Sequence, residues 1–236
     1  MASNIGQDYL KRLLNNKSQV YTELKPKDRI IKIIENHILP SLTELGYKFL
    51  KSRMQLERTV GDFKQIIWFC TSSKNYKTEI VKFEVYLKVE NKKYKQLSND
   101  KFNIDNHNFI GSNVKELKLW NQEYCDGWYE LHLDDNIKVA ERITQNILKC
   151  TESYLDQNSN YETSLEFRFA NFFKLPYFGA REIPDILILS SLTDNSIIKE
   201  KIIEAFKIWK LSKANEISLI GKPNIMKDIE AVIKLL

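Results

Sequence analysis

The chain contains 236 residues, of which 43% are hydrophobic and 28% are charged, and its formal net charge is +5. This composition is that of a globular protein long enough to bury a sizeable core, and it excludes a disordered chain. No apolar run approaches the roughly 18 residues of a membrane span, so we expect no membrane association. The 36 basic residues exceed the 31 acidic residues only slightly, which is unlike small nucleic-acid-binding domains.

Cysteine and glycine usage indicates the compartment and argues against two kinds of site. Cys70, Cys125 and Cys150 lack the spacing of a zinc site, and an odd number of cysteines is typical of a reducing compartment. The first residues show no secretory signal, so we expect a cytoplasmic location. The seven glycines form no phosphate-binding GxGxxG or GxxxxGK motif. We therefore predict no cofactor and no metal.

The first 45 residues are predicted to be helical. Residues 1–27 are interpreted as a short N-terminal helical extension, because apolar residues at helical spacing give way to a polar segment. From position 28 onward, apolar residues recur at steps of three and four: Ile30, Ile31, Ile34, Ile38, Leu42 and Leu45. We expect Gly46 to end this helix and Pro40 to kink or divide it.

The period then changes to two, which is typical of half-buried strands. Residues 47–60 are interpreted as one strand, Gly61 and Asp62 as a hairpin turn, and the apolar run 63–71 as the central strand of a sheet. Residues 81–90 alternate strictly. Five apolar residues occupy one side and five polar or aromatic residues the other: Val81, Phe83, Val85, Leu87 and Val89 against Lys82, Glu84, Tyr86, Lys88 and Glu90. Because the second row alternates in charge, we predict a solvent-exposed face held by cross-strand ion pairs.

A long polar segment separates this strand from the next one. Residues 96–114 are rich in Asn, Asp and Ser, which predicts a loop, and residues 127–133 predict a further strand. A helix follows over about 135–155, with Asp134 or Asp135 as its N-terminal cap.

From there to the end the pattern stays helical, and Thr163 with Glu166 is interpreted as a capping box. We predict a single α+β domain over residues 28–236, sheet-rich in 47–133 and helical in 134–236. Its antiparallel sheet of four or five strands is expected to pack against the helices on either side in sequence.

The order of these elements resembles a known family. A helix ending in LPSLTELGYKFLKSR, a hairpin through FKQIIWF, the strands FEVYLKV and GWYEL and a helix capped by acidic residues are similar to the bacterial family catalogued as domain of unknown function 4304. The similarity spans residues 28–215, and its shared features are the joint Leu45-Gly46-Tyr47, the apolar strand after the hairpin, and Trp128. The resemblance implies an α+β fold and a bacterial source, and it assigns no catalytic residue.

A dense group of aromatic and basic residues in 167–182 is the first candidate for a binding surface. Protein interfaces use aromatic and arginine side chains as anchors, and this group has more aromatic area than one helix stripe normally buries. The predicted interface residues are Phe167, Arg168, Phe172, Phe173, Tyr177, Phe178 and Arg181. Packing inside the protein is the alternative interpretation.

The segment 74–101 is the second candidate, because it interleaves eight lysines with tyrosines. Proteins that bind nucleic acids pair ammonium groups with phosphates and stack bases on aromatic rings. The residues predicted for this role are Tyr76, Lys88, Lys92, Lys93, Tyr94 and Lys95. A solvated strand end and turn is the alternative, since lysines also discourage pairing between sheet edges.

Catalytic and metal-binding patterns are weak. Glu90-Asn91-Lys92 with Asp62 upstream has the residue types of a metal-dependent nuclease, but such a short triplet also arises by chance. His132 with Asp134 and Asp135, or Asp105 with His107, contains metal-ligand residue types, although helix capping explains the aspartates at 134 and 135 better. Cys70 lies in an apolar strand, where a thiol is usually inert packing.

The sequence therefore predicts a non-catalytic cytoplasmic bacterial protein that binds another protein, as an accessory or immunity factor. A nucleic-acid-associated protein is the alternative, and a metal-dependent nuclease is the third hypothesis. Neither the identity of the partner nor the oligomeric state follows from the residues.

Overall fold

The computed structural model describes residues 21, 23–75, 80–100, 110–113, 128–132, 136–172, 179–194 and 196–211. Within these ranges the chain forms a six-stranded sheet together with α-helices, so the predicted α+β fold class is confirmed. Five strands lie in the order β1-β2-β3-β4-β5, and the sixth pairs with β4. The strands are β1 Lys48–Leu50, β2 Gln55–Val60, β3 Phe63–Thr71, β4 Val81–Asn91, β5 Ile110–Asn113 and β6 Tyr129–Leu131.

Helices precede and follow the strands, one helix lies between β4 and β5, and two of the helices continue as π-helices. The α-helices are α1 Pro26–Ile33, α2 Leu39–Thr43, α3 Lys92–Asp100, α4 Asn136–Cys150, α5 Tyr161–Phe172, α6 Gly179–Leu192 and α7 Ser196–Leu211. The π-helices are Ile34–Ile38 and Thr151–Asp156, and short 3₁₀ turns cover Lys51–Arg53 and Gln157–Ser159. Among the helices described, none has both the length and the apolar character that crossing a membrane requires.

The chain separates into two compact units. Unit 1 comprises Met1–Thr59, Gln65–Lys88 and Gly111–Ser153. Unit 2 comprises Val60–Lys64, Val89–Ile110 and Tyr154–Leu236. The interpretation of 28–236 as one domain stays a prediction. Most of the predicted N-terminal extension, and residues 212–236 of the predicted helical region, fall outside the described residues.

The core of unit 1 depends on the alternation of β4. The predicted apolar row is fully buried, and the Phe83 ring lies 6.2 Å from the Phe69 ring and 5.6 Å from the Tyr129 ring, measured between centroids. The predicted cross-strand ion pair also forms, because Lys82 lies opposite Glu130 in the antiparallel pairing of β4 with β6. One residue of the second row departs from the prediction, since Glu84 is only 8% exposed. Its carboxylate accepts a hydrogen bond from the Tyr86 hydroxyl at 2.9 Å.

The helix predicted from position 28 onward is divided, as the position of Pro40 indicated. Its apolar stripe is fully buried, and the division takes the form of the π-helix between α1 and α2. Proline has no N–H to donate and its ring crowds the carbonyl group four residues earlier, so the preceding turn widens. The buried stripe consists of Ile30, Ile33, Ile34, Ile38 and Leu42.

The interpretation of 47–60 as a single strand is wrong. Lys48 pairs with Glu57 and Leu50 with Gln55, so β1 and β2 form an antiparallel hairpin. Met54 has a φ of +53°, a left-handed conformation that reverses the chain directly after the 3₁₀ turn. The alternation of apolar and polar residues continues through the reversal at Met54. The periodicity alone therefore did not reveal the hairpin.

The prediction of a loop over 96–114 is also wrong in part. Helix α3 covers 92–100, and β5 covers 110–113. Asn91 caps the helix, because its side-chain Oδ1 accepts hydrogen bonds from the Tyr94 N–H at 3.0 Å and from the Tyr161 hydroxyl at 2.8 Å. Tyr94 and Ser98 are buried one helical turn apart, so two inward positions are enough to anchor a helix of polar composition.

The cap of α5 lies one turn before the predicted capping box. Asn160 Oδ1 accepts hydrogen bonds from the backbone N–H groups of Glu162 at 2.9 Å and Thr163 at 3.2 Å. The Thr163 hydroxyl instead donates to the Gln157 carbonyl oxygen at 2.5 Å. Asn is as good an N-cap as Thr, so composition alone did not distinguish the two starts.

A polar cluster fixes the joint between α2 and β1. The buried Gln65 Oε1 accepts a hydrogen bond from the Tyr47 hydroxyl at 2.7 Å, and from Arg58 Nε at 3.1 Å and Nη2 at 2.9 Å. The Arg58 guanidinium also lies 5.0 Å from the centroid of the Tyr47 ring. Gly46, with φ +85°, turns the chain into this cluster.

Replacing Gly46 by Ala is expected to lower the free energy of unfolding by about 1–2 kcal/mol, because its φ of +85° is strained for any residue with a Cβ. A Cβ there would meet Arg58 no closer than 3.9 Å, so the cost is conformational. Gly61→Asn is the matched control, since the φ of +56° at Gly61 is one that Asn adopts readily. Urea unfolding measures both, and equal losses would contradict this account.

Candidate functional site

The lysines predicted to bind nucleic acid belong to two different compact units. Lys92, Lys93 and Lys95 are exposed on α3, in unit 2. The Lys88 ammonium group lies in unit 1, 4.3 Å from the centroid of the Trp68 ring. Tyr76 lies outside the described residues.

Tyr94 is unsuited to the predicted role of base stacking. Its side chain is fully buried, and its hydroxyl donates a hydrogen bond to the Asp185 carboxylate. A ring without solvent contact offers no surface to a nucleobase, so the aromatic part of that prediction is corrected for this residue. The prediction of nucleic-acid binding by the lysines stays a prediction.

The predicted protein interface at 167–182 is only partly described. Phe167 is half-buried at the end of a T-shaped contact with Tyr154, at 5.7 Å between ring centroids. Arg168 is 4% exposed and is therefore not a surface anchor. The structure describes no side chain for the other predicted interface residues, which are Phe172, Phe173, Tyr177, Phe178 and Arg181.

Arg168 belongs to a buried polar network in unit 2. Its Nη1 lies 3.3 Å from the Asp185 carboxylate, and its Nη2 donates a hydrogen bond of 3.5 Å to the Tyr154 hydroxyl. Asp185 also accepts the hydrogen bond from Tyr94, so one carboxylate connects α3, α5 and α6. An ion pair with both partners buried holds three helices in one arrangement, which is a structural role.

A distinctive group of partly exposed side chains, together with one buried carboxylate, lies on the sheet of unit 1. Trp68 and Cys70 on β3, with Glu84, Tyr86 and Lys88 on β4, occupy the face opposite the buried rows, and we name them the outer-face group. The Trp68 and Tyr86 rings are 5.4 Å apart with an interplanar angle of 36°, and both are half-exposed. The Tyr86 hydroxyl donates to Glu84 Oε2 at 2.9 Å.

Sequence reasoning missed this group because the apolar run 63–71 was interpreted as the central strand of a sheet, without an exposed side. Burial and the charges of the outer-face group act together on its thiol: burial raises the pKa of Cys70, the Glu84 carboxylate raises it further, and Lys88 lowers it. A thiol with a raised pKa is a poor nucleophile. The position of Trp68 could have revealed the group, because Trp68 has an even residue number in a strand whose odd-numbered residues face the core.

A second group of charged side chains lies beside β4. Glu130 binds the Lys82 ammonium group at 2.5 Å and His132 Nε2 at 3.1 Å. The hydrogen bond from Lys82 holds the pKa of Glu130 below its usual range; burial opposes this shift, and the charges of Lys82 and His132 favour it. The His132 carbonyl oxygen accepts a hydrogen bond from the buried Arg29. These charges neutralise one another, which leaves little field for a polyanion.

The residues proposed for nuclease chemistry are brought close together in unit 2 but are engaged otherwise. Asn91 Nδ2 donates to the backbone carbonyl oxygen of Asp62 at 3.2 Å, and Glu90 pairs with Lys64 at 3.8 Å. Nowhere in the described part of the chain do three His, Cys, Asp or Glu residues form a group able to hold a metal ion. Four predicted ligand residues lie outside that part: Asp105, His107, Asp134 and Asp135.

His37 is the one remaining histidine. It lies in the first π-helix, and its Nε2 is buried without a hydrogen-bond partner among the described residues. Burial lowers the pKa of His37, and the Glu141 carboxylate opposes the shift. The imidazole is therefore neutral at pH 7 and packs against the Tyr21 ring, at 6.5 Å between centroids.

Comparison with known proteins adds no relative, since no family model, curated protein or solved structure matches this chain. The resemblance to domain of unknown function 4304 stays a prediction.

Proposed function

We propose that this protein binds another protein through the outer-face group and performs no catalysis itself. The observation that carries the proposal is the half-exposed pair of Trp68 and Tyr86, flanked by a cation and a carboxylate on one face of a sheet. Tyrosine and tryptophan dominate the energetics of protein interfaces, because each contributes a large rigid surface with a polar end. The predicted segment 167–182 remains a second surface, without Arg168.

The charge pattern supports a protein over a nucleic acid. Lys82 is paired with Glu130, and Lys88 lies over the Trp68 ring on a strand face that also contains Glu84, so cations and anions alternate along the face. Binding to a phosphate backbone depends on several unopposed cations that release counterions. A role as an accessory or immunity factor in the bacterial cytoplasm, as the sequence indicates, belongs to the same proposal.

Trp68→Leu is expected to abolish capture of the partner in a pull-down from the native organism, with a loss of at least tenfold in band intensity, roughly what removing one tryptophan hot spot implies. Gln145→Ala, at an exposed position of α4, is the matched control and should capture the partner as the wild type does. Circular dichroism must show that both variants are folded.

Two outcomes would count against this proposal. One is partner capture that survives Trp68→Leu unchanged. The other is binding to mixed-sequence DNA or RNA that falls steeply between 50 and 200 mM salt, which favours the nucleic-acid alternative.

A further inference from the structure

We propose that His37 makes unit 1 sensitive to acid, because the packing of the first π-helix, Ile34–Ile38, against α4 suits a neutral imidazole and not an imidazolium. The two segments contact each other within unit 1. His37 lies outside the outer-face group, so this proposal does not depend on the proposed function.

One ring nitrogen of His37 lies where a proton would have no partner. His37 Nε2 is buried, and among the described residues no group forms a hydrogen bond with it. A neutral imidazole tolerates this position, because its single proton can reside on Nδ1. An imidazolium carries a proton on both nitrogens, so its Nε2–H would be a buried donor without an acceptor. Protonation therefore disfavours the folded position of the ring.

The packing around the π-helix offers little to a positive charge. The Tyr21 ring lies 6.5 Å from the imidazole between centroids, beyond the roughly 6 Å within which an aromatic face attracts a cation. Asn36 Nδ2 donates a hydrogen bond of 2.5 Å to the Tyr21 hydroxyl, so the π-helix itself holds this ring. The π-helix and α4 bury apolar side chains, which are Ile34, Ile38, Ala140, Ile143 and Ile147.

The charged groups of α4 do not supply the missing compensation. Glu141 favours the protonated form of His37, but its side chain is exposed, so water weakens its effect. Burial is the larger cause, and it lowers the pKa of His37. The charged residues nearest to Glu141 along α4 are Lys138 and Arg142, whose positive charges oppose protonation.

The helical segments on either side of His37 in the chain do not supply it either. The one carboxylate of the π-helix, Glu35, pairs with Lys32 at 3.8 Å and also with Lys51. The carboxylate of α1, Asp28, lies in the first turn, at the far end of that helix from His37. The sequence of α2, LPSLT, contains no ionisable side chain.

The direction of the effect on stability follows. In the unfolded chain His37 binds its proton with the ordinary imidazole pKa of about 6.5, whereas burial lowers the pKa in the folded chain. The folding equilibrium constant therefore has its full value above about pH 6.5 and falls as the pH decreases toward the pKa of the folded state. For each pH unit that separates the two pKa values, the constant falls by up to about tenfold.

Two measurements on the full-length protein test the proposal. The first is an NMR titration of the imidazole resonances, in which His37→Phe identifies the His37 signal by its absence. We expect the midpoint of this signal in the folded protein to lie below its midpoint in the urea-unfolded chain. The second is urea unfolding of the wild type and of His37→Phe at about pH 7.5 and about pH 5.5.

Phe keeps an aromatic ring beside Tyr21 but has no titratable nitrogen. The ratio of the wild-type folding constant to that of His37→Phe should therefore fall on acidification, by the factor that the two measured midpoints predict. Comparing the two chains removes the contribution of the carboxylates, which both contain. The same fall is expected when both chains also carry the control substitution His132→Gln, because His132 is largely exposed.

Either of two results would overturn the proposal. One is a His37 midpoint in the folded protein at or above that in urea. The other is a ratio of folding constants that does not change with pH. His37→Leu replaces His37→Phe if the larger ring prevents folding, and the same fall is expected. If neither variant folds, the wild-type midpoint decides alone, with the His37 signal assigned by through-bond NMR experiments on the ¹³C,¹⁵N-labelled protein.

Discussion

Arg168→Met is expected to lower the free energy of unfolding by about 3–5 kcal/mol, the cost of leaving one charge of a buried ion pair without its partner. Arg168 and Asp185 are 4% and 6% exposed, so water cannot replace the lost contact. Met has nearly the length of the arginine stem and keeps most of the packing. Equilibrium unfolding in urea, followed by circular dichroism, measures the loss.

A double-mutant cycle separates the ion pair from the rest of the network. Asp185→Asn keeps an oxygen that accepts the hydrogen bond from Tyr94, but it removes the negative charge that faces the Arg168 cation. The double variant with Met and Asn contains no buried charge at either position, so it should be more stable than either single variant. Strictly additive losses would show that the two side chains do not interact, and they would contradict the structure at this point.

The sequence predicted β4 better than the elements around it, and the reason is physical. Side chains in β4 alternate between a fully buried row and a polar row, and this period survives any arrangement of the neighbouring elements. The turn at Gly61 was predictable because its φ of +56° favours glycine. The reversal at Met54 was not, because nothing in a methionine indicates a left-handed conformation.

Helix α3 and the network around Arg168 lay beyond sequence reasoning for a different reason. The segment 92–100 is polar, and its helix depends on the Asn91 cap and on the burial of Tyr94. The Tyr94 hydroxyl donates to Asp185, which lies 91 positions later in the chain. Arg168 was interpreted as an interface anchor because its neighbours are aromatic. Only the fold brings Asp185 within 3.3 Å of it, and a sequence of charges contains no information on which ones meet.

The outer-face group illustrates the same limit at the candidate site. The pattern of β4 predicted that Tyr86 and Lys88 share one face, and this is observed. Trp68 comes from the neighbouring strand, so its place beside them depends on the strand register. A continuous apolar run such as 63–71 hides that register, because no polar residue marks its exposed side.

Phe83→Ala is expected to destabilise the chain by about 3–5 kcal/mol, because it removes a fully buried ring and leaves a cavity between Phe69 and Tyr129. The adjacent Lys82→Ala should cost only about 0.2–1 kcal/mol, the range for an exposed ion pair such as the one with Glu130. The two positions differ by one residue, so the ratio of their losses measures the alternation of β4 directly.

If Phe83→Ala leaves too little folded protein, Phe83→Leu keeps the position apolar, and its smaller loss should still exceed that of Lys82→Ala. Urea unfolding gives both values on the same scale. Comparable losses at positions 82 and 83 would mean that neither face of β4 is buried in preference to the other. Tyr86 and Lys88 are assigned to the outer-face group by the same alternation, so this result would also contradict that assignment.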